Sequence, residues 1–224
     1  FSLAAGLLAA HWLAGLGWSV AAVYSAIVLA TGPTVVTPLV QQIRLAPPLG
    51  DVLEAEGLVL EPIGAVMALL LLELALGDLH GWREVASGVL ARLGGGVGLG
   101  LVFGWLMSEA LRLLKPDPSV GLRLQITLGL LFLLYGVCEW LLPLSGLPAS
   151  VSAGVVVGRR PATNAGQLDG LIRELAQLAI TMLFPLLAAD VSWAELSPLG
   201  WGGVTCVLAL MLVVRPIAVS LATT

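Results

Sequence analysis

The sequence predicts an all-α polytopic membrane protein, a helical bundle with about eight transmembrane segments. Of its 224 residues 58% are hydrophobic, and mean hydropathy is +1.02. Only 11% are charged, against about 25% in soluble domains. Apolar runs recur along the chain, bounded by breakers, at lengths suited to a hydrocarbon core of ~30 Å. They fall at about 1–16, 18–40, 51–76, 85–111, 122–142, 147–158, 171–190 and 200–221. Connections are short, so the reading is one membrane domain over 1–224. Phe1 opens inside an apolar run and the chain stops just after a span. The domain is therefore expected to be partial, truncated at both ends.

Several functions are excluded on composition. The net charge is −4 and no basic patch forms, so nucleic acid is not an expected partner. Cys138 and Cys206 sit in apolar helical runs without redox or metal-ligand spacing and read as packing residues. No His-Glu-x-x-His occurs, and no Ser–His pair on neighbouring spans stands out, which argues against an intramembrane enzyme. No cofactor is expected.

In the first segment, His11 reads as a satisfied helix residue. The second is interrupted: Thr31-Gly32-Pro33 separates Val20–Ala30 from Thr34–Val40, predicting an unwound helix at 31–33. Pro33 removes a backbone donor, and both Gly32 and Pro33 weaken a helix. Freed carbonyls at membrane depth occur where they line a cavity, and transporters use them to coordinate cations. A proline kink without a ligand is the equal alternative.

The third segment organises the chain. Carboxylates and a proline, in Leu53-Glu54-Ala55-Glu56-Gly57-Leu58-Val59-Leu60-Glu61-Pro62, run straight into a membrane span. At about 1.5 Å per residue, Asp51 to Gly77 is long enough to cross, with Glu61 the deepest acid. A charge near the bilayer centre costs at least ~2.5 kcal/mol, and such residues mark ion or proton pathways. The bland alternative is a carboxylate that only packs beside a wet cavity.

The fourth segment carries Gly94-Gly95-Gly96-Val97-Gly98-Leu99-Gly100 and then Gly104. No strand precedes these glycines and no Lys follows, so a nucleotide loop is excluded. Gly96, Gly100 and Gly104 recur on one helix face, the small-residue packing pattern. Glu139 near the end of the fifth segment reads as an interfacial acid, with a place on an outer access path as the alternative. The sixth, 147–158, is short for a span. In the last, Arg215 either snorkels to the cytoplasm or pairs with a buried acid.

Orientation follows from Lys and Arg. If the spans alternate, Arg44, Arg112, Lys115, Arg123, Arg159, Arg160 and Arg173 fall on one side, and Arg83 on the other with Arg92 just inside the next helix. The first side is then cytoplasmic. Trp18, Trp82, Trp140, Trp193 and Trp201 cluster at the opposite helix ends, as an interfacial belt would.

Thr31-Gly32-Pro33-Thr34-Val35-Val36, followed by the 53–62 run, resembles the monovalent cation:proton antiporter superfamily, sodium/proton exchanger branch. There a Thr-Asp-Pro unwound helix precedes a Glu-Gly-Glu-Ser-Leu-Leu-Asn-Asp helix. Ser145-Gly146-Leu147-Pro148-Ala149, with Ala153-Gly154 and Gly158, looks like the next motif block, and Arg215-Pro216 falls where the family often has Arg-Pro. The resemblance implies a partial exchanger transmembrane domain, about half of an antiporter core, with crossed unwound helices. It also implies a likeness in activity: Na⁺ or K⁺ exchanged for H⁺ by a homodimer. Glu61 falls on the family's ion-binding aspartate and Thr31 on its threonine, placing a cation at Glu61 and Thr31 beside Gly32 and Pro33. Glu56 matches a glutamate that pairs with an arginine on a later helix, and Arg215 is a second supporting charge.

Gly32, Leu60 and Gly57 stand where the family has aspartate, asparagine and serine. Each departure removes an oxygen ligand, so backbone carbonyls near Thr31 or water must substitute for a hard cation. Desolvation favours a protonated carboxylate and a bound cation favours an ionised one. Competition of cation and proton for one carboxylate then gives electroneutral exchange. The expected setting is multi-pass in the cytoplasmic (inner) membrane, with lipid, monovalent cation and proton as partners. An ion channel or a non-catalytic membrane subunit is the alternative; current without proton coupling would favour it.

Overall fold

The computed structural model describes residues 1–30, 47–113, 120–159, 165–192, 194 and 197–222. Every regular element among them is helical: α1 (Ser2–Trp12), α2 (Trp18–Leu29), α3 (Pro47–Leu76), α4 (Trp82–Leu113), α5 (Val120–Leu141), α6 (Gly146–Gly158) and α7 (Ala165–Asp190). A 3-10 turn (Ser197–Leu199) then leads into α8 (Gly200–Ala209), a π turn (Leu210–Val214) and α9 (Arg215–Ala222). Among the described residues, five stretches are long and apolar enough to span a bilayer: Val52–Leu76, Trp82–Leu113, Gly121–Leu141, Gly170–Asp190 and Ser197–Ala218. The α1, α2 and α6 helices are shorter and also apolar. Each predicted apolar segment thus has its helix, and the fold is that of a multi-pass membrane bundle. The predicted break at Thr31, Gly32 and Pro33 lies outside the described residues.

The chain divides into two compact units, one of Phe1–Val89 with Ala189–Thr224 and the other of Leu90–Ala188. In the first, α1 and α2 form a helical hairpin that turns at Gly15, whose φ of +67° suits a residue without Cβ. The His11 ring closes this turn: Nδ1 lies 2.7 Å from the Leu16 carbonyl, and the ring stacks on Trp18 at 3.8 Å. It is a satisfied helix-end residue, as expected. Ala10, Ala21, Cys206 and Leu210 form one core, with Leu7, Tyr24 and Val28 packed around it. The α2 helix also lies along α3, where Ala26, Val66 and Leu70 are buried. The α3 helix ends at Gly77, again in left-handed conformation (φ +88°).

In the second unit the glycine face of α4 meets α6. A Cβ on Gly96 would stand 2.6 Å from the Ser145 carbonyl oxygen, and one on Gly104 2.8 Å from the Ala153 Cα. One on Gly100 would overlap Ser152 Oγ and the Ala149 carbonyl. These glycines let two backbones touch, as the four-residue spacing predicted. Gly98, off that face, has nothing within 4 Å. Leu134 and Cys138 of α5 join Ala149 and Ala153 of α6 in the core beneath. Cys138 and Cys206 are both buried and free, so they are packing residues.

The corner between α5 and α6 is held by Glu139. Its carboxylate accepts from the N–H of Leu144 at 2.9 Å and of Gly146 at 3.3 Å. The buried Ser145 hydroxyl donates to the Cys138 carbonyl at 2.9 Å. Leu144 is forced to a φ of +62°, a conformation that costs a β-carbon residue about 1–2 kcal/mol. Those hydrogen bonds supply the compensation. Along α7, Leu178, Met182, Phe184, Leu186 and Leu187 are all exposed, a surface that requires lipid or further protein around it.

Candidate functional site

Glu61 sits inside α3, half-buried, between the buried Gly57 and Gly64. Pro62, buried beside it, is interior to the helix. A proline has no N–H for the carbonyl four residues earlier. The Leu58 carbonyl thereby loses its helical donor, and Leu58 and Glu61 share a helix face at i, i+3. A carboxylate and a carbonyl oxygen deprived of its usual i+4 donor thus lie within one turn. Sequence reading singled out Glu61 and overlooked Leu58; Pro62 four residues on was the available signal.

Gly64 brings α2 against this same face. A Cβ there would meet the Ala26 carbonyl oxygen at 3.1 Å and the Ala30 Cβ at 2.8 Å. Without a side chain at 64, the last turn of α2 lies directly on α3, one turn beyond Glu61. Ala30 then leaves the helix in extended conformation (φ −67°, ψ 105°). Sequence reading missed Gly64, although a lone glycine three residues after a buried acid is a close-approach signal.

Arg215 reaches the same end of α2. Its Nη2 donates to the Val28 carbonyl at 2.9 Å, and both residues are half-buried. This backbone acceptor was in neither expectation for Arg215. The π turn just before it and Pro216 just after it belong together. Pro216 cannot donate to Leu212, and wider winding absorbs the fault. Single π turns of this kind concentrate at functional positions.

Of the remaining predicted residues, only those on α3 are described. Thr31, Gly32 and Pro33 lie outside the described residues, so the second half of the expected cation site at Glu61 and Thr31 does too. Glu56 is exposed on α3, about 140° around the helix from Glu61 at 100° per residue. Glu54 is half-buried, nearly in line with Glu61 but about two turns earlier. Among the described residues no three His, Cys, Asp or Glu side chains converge on a metal-sized site.

This combination of a half-buried span acid, an interior proline and a close helix crossing lies in a chain whose whole length, residues 1–224, matches the family described as sodium/hydrogen exchanger, transmembrane. The chain belongs to that family. Among its relatives, a probable Na⁺/H⁺ antiporter 2 of Methanocaldococcus jannaschii is 25% identical over 212 residues, covering 89% of this chain and 49% of the relative. The Na⁺/H⁺ antiporter NhaH of Halobacillus aidingensis is 26% identical over 231 residues, covering 96% of this chain and 55% of the relative. Sodium/hydrogen exchanger 7 of Arabidopsis thaliana is 26% identical over 123 residues, 55% of this chain and 11% of the relative. This exchanger-family chain therefore spans about half the length of the prokaryotic relatives, and far less of the plant one.

Proposed function

We propose that the complete protein is a secondary antiporter exchanging Na⁺ or K⁺ for H⁺, with Glu61 as the group the two ions share. The observation that carries this is a half-buried carboxylate inside a membrane span of an exchanger-family chain, beside Pro62 and the end of α2. Ionised, Glu61 binds the cation with help from backbone oxygens, those of Leu58 and of the 31–33 segment. Protonated, it releases the cation. The two states exclude each other, and that exclusion couples the two fluxes. With one carboxylate at the site, one cation moves against one proton and the cycle is electroneutral. The protein works as a homodimer in the cytoplasmic (inner) membrane, without a cofactor. Such transport is not enzymatic: both ions leave chemically as they entered.

Everted vesicles containing the complete protein test this. Glu61→Gln fixes a neutral group that can neither release a proton nor balance a cation, so cation-driven proton movement is abolished while protein level is kept. Glu61→Asp retains the charge one methylene further back, so reduced exchange survives with altered cation affinity. Glu54→Gln is the control and keeps substantial activity. Parental exchange in Glu61→Gln vesicles removes Glu61 from the mechanism.

A further inference from the structure

The end of α2 is built from two sides. From α3, Gly64 admits the Ala26 carbonyl and Ala30 to the helix that carries Glu61. From α9, the Arg215 guanidinium donates to the Val28 carbonyl at 2.9 Å. The last four carbonyls of a helix have no intrahelical donor, and the helix end carries about half a negative charge. A guanidinium placed there satisfies one such carbonyl and opposes that charge. A bond from a charged donor is also about twice as strong as a neutral one. The acceptor and donor are 187 positions apart in the chain, so this is a tertiary clamp and not a local cap. The π turn Leu210–Val214 immediately precedes Arg215.

We infer that Arg215 is a positioning residue that clamps the last turn of α2 and so fixes the α2–α3 crossing at Gly64, one turn from Glu61. This rests on the antiporter reading for its functional consequence, though not for the clamp itself. Arg215 does not touch the transported ion. It holds the backbone that sets the surroundings of Glu61, so its loss weakens cation binding more than turnover.

The test uses the complete parent protein, reconstituted in vesicles and probed with Na⁺ and with K⁺. Arg215→Gln has neither the charge nor the reach. The half-saturating cation concentration rises about tenfold while the maximal exchange rate changes less than about threefold. Amide hydrogen exchange across the last turn of α2 speeds up in parallel. Arg215→Lys keeps the charge but offers a point donor instead of a planar fork, so both readouts fall between Gln and parent. A variant that merely destabilised the fold would lower maximal rate and protein level together, with no rescue by Lys.

Parental half-saturation and parental amide exchange in Arg215→Gln overturn the clamp. If Arg215→Gln does not accumulate, Arg215→Lys is read on the same two scales, and parental values on both overturn it. If the parent moves no protons in response to either cation, the antiporter reading falls. The clamp is then decided by amide exchange alone.

Discussion

The side chains that carry most consequence here act on backbone. Glu139, which the sequence reads as an interfacial acid or part of an access path, accepts two backbone N–H groups at the start of α6. An acid at a helix N-terminus is favoured by the exposed N–H groups and by the helix dipole. Removing it in Glu139→Ala strands two donors next to a strained Leu144 and costs about 2 kcal/mol. Glu139→Gln retains an oxygen acceptor but loses the charge and costs about 1 kcal/mol. Thermal unfolding in detergent is expected to rank parent above Gln above Ala. Identical midpoints for all three dismiss the cap. This role was invisible in the sequence because it needs the left-handed turn at Leu144, and nothing in Leu-Pro-Leu-Ser-Gly announces one. Glu61, by contrast, was legible at once, because a carboxylate between apolar runs is costly wherever it sits. Arg215 was legible as a charge but not as a clamp. Its acceptor is a carbonyl, and carbonyls are the same at every position of a sequence.

At the level of elements the sequence carried most of the fold, since hydropathy and breakers locate spans independently of their packing. The glycine face of α4 shows how far that reaches. Spacing alone predicted that Gly96, Gly100 and Gly104 would face another helix; it did not say that the partner is α6, or that Gly98 stands in open space. The two kinds of position give opposite mutational outcomes. Gly98→Ala adds a methyl into space and improves helix propensity, so it stabilises by up to about 1 kcal/mol. Gly100→Ala drives a methyl into Ser152 and the Ala149 backbone and separates α4 from α6, costing about 1–3 kcal/mol. A thermal midpoint raised or unchanged for Gly98→Ala and lowered for Gly100→Ala is expected. The same small change for both would mean that α4 and α6 are not in backbone contact. The π turn before Arg215 had no such signature. Pro216 marks a fault in the helix, but whether a fault becomes a kink, a break or a π turn is settled by what surrounds it.

For the whole molecule the open physical question is which ends of the helices share a side, and it turns on α6. With 13 residues, α6 is about 20 Å long at 1.5 Å per residue, some 10 Å short of a hydrocarbon core. The shortfall is survivable in three ways. Gly96, Gly100 and Gly104 bury one face of α6 against α4, so part of its length meets protein and not lipid. Its C-terminal neighbour Arg159 has a stem that snorkels several ångströms toward water. The bilayer can also thin locally at fractions of a kcal/mol per ångström. The distribution of Lys and Arg points the same way, since it places Arg112, Lys115, Arg123, Arg159, Arg160 and Arg173 on one side only if α6 crosses. Were it to turn back, Arg159, Arg160 and Arg173 would join Arg83 outside, and the positive-inside asymmetry would vanish. Crossing is therefore expected. Single cysteines replacing Pro116 and Pro161 react with an impermeant reagent from the cytoplasmic side, and one replacing Gly81 reacts from outside. The buried Cys138 and Cys206 contribute little background. Labelling of positions 81 and 161 from the same face, with 116 on the other, would show that α6 re-enters and that the α7 helix runs the opposite way.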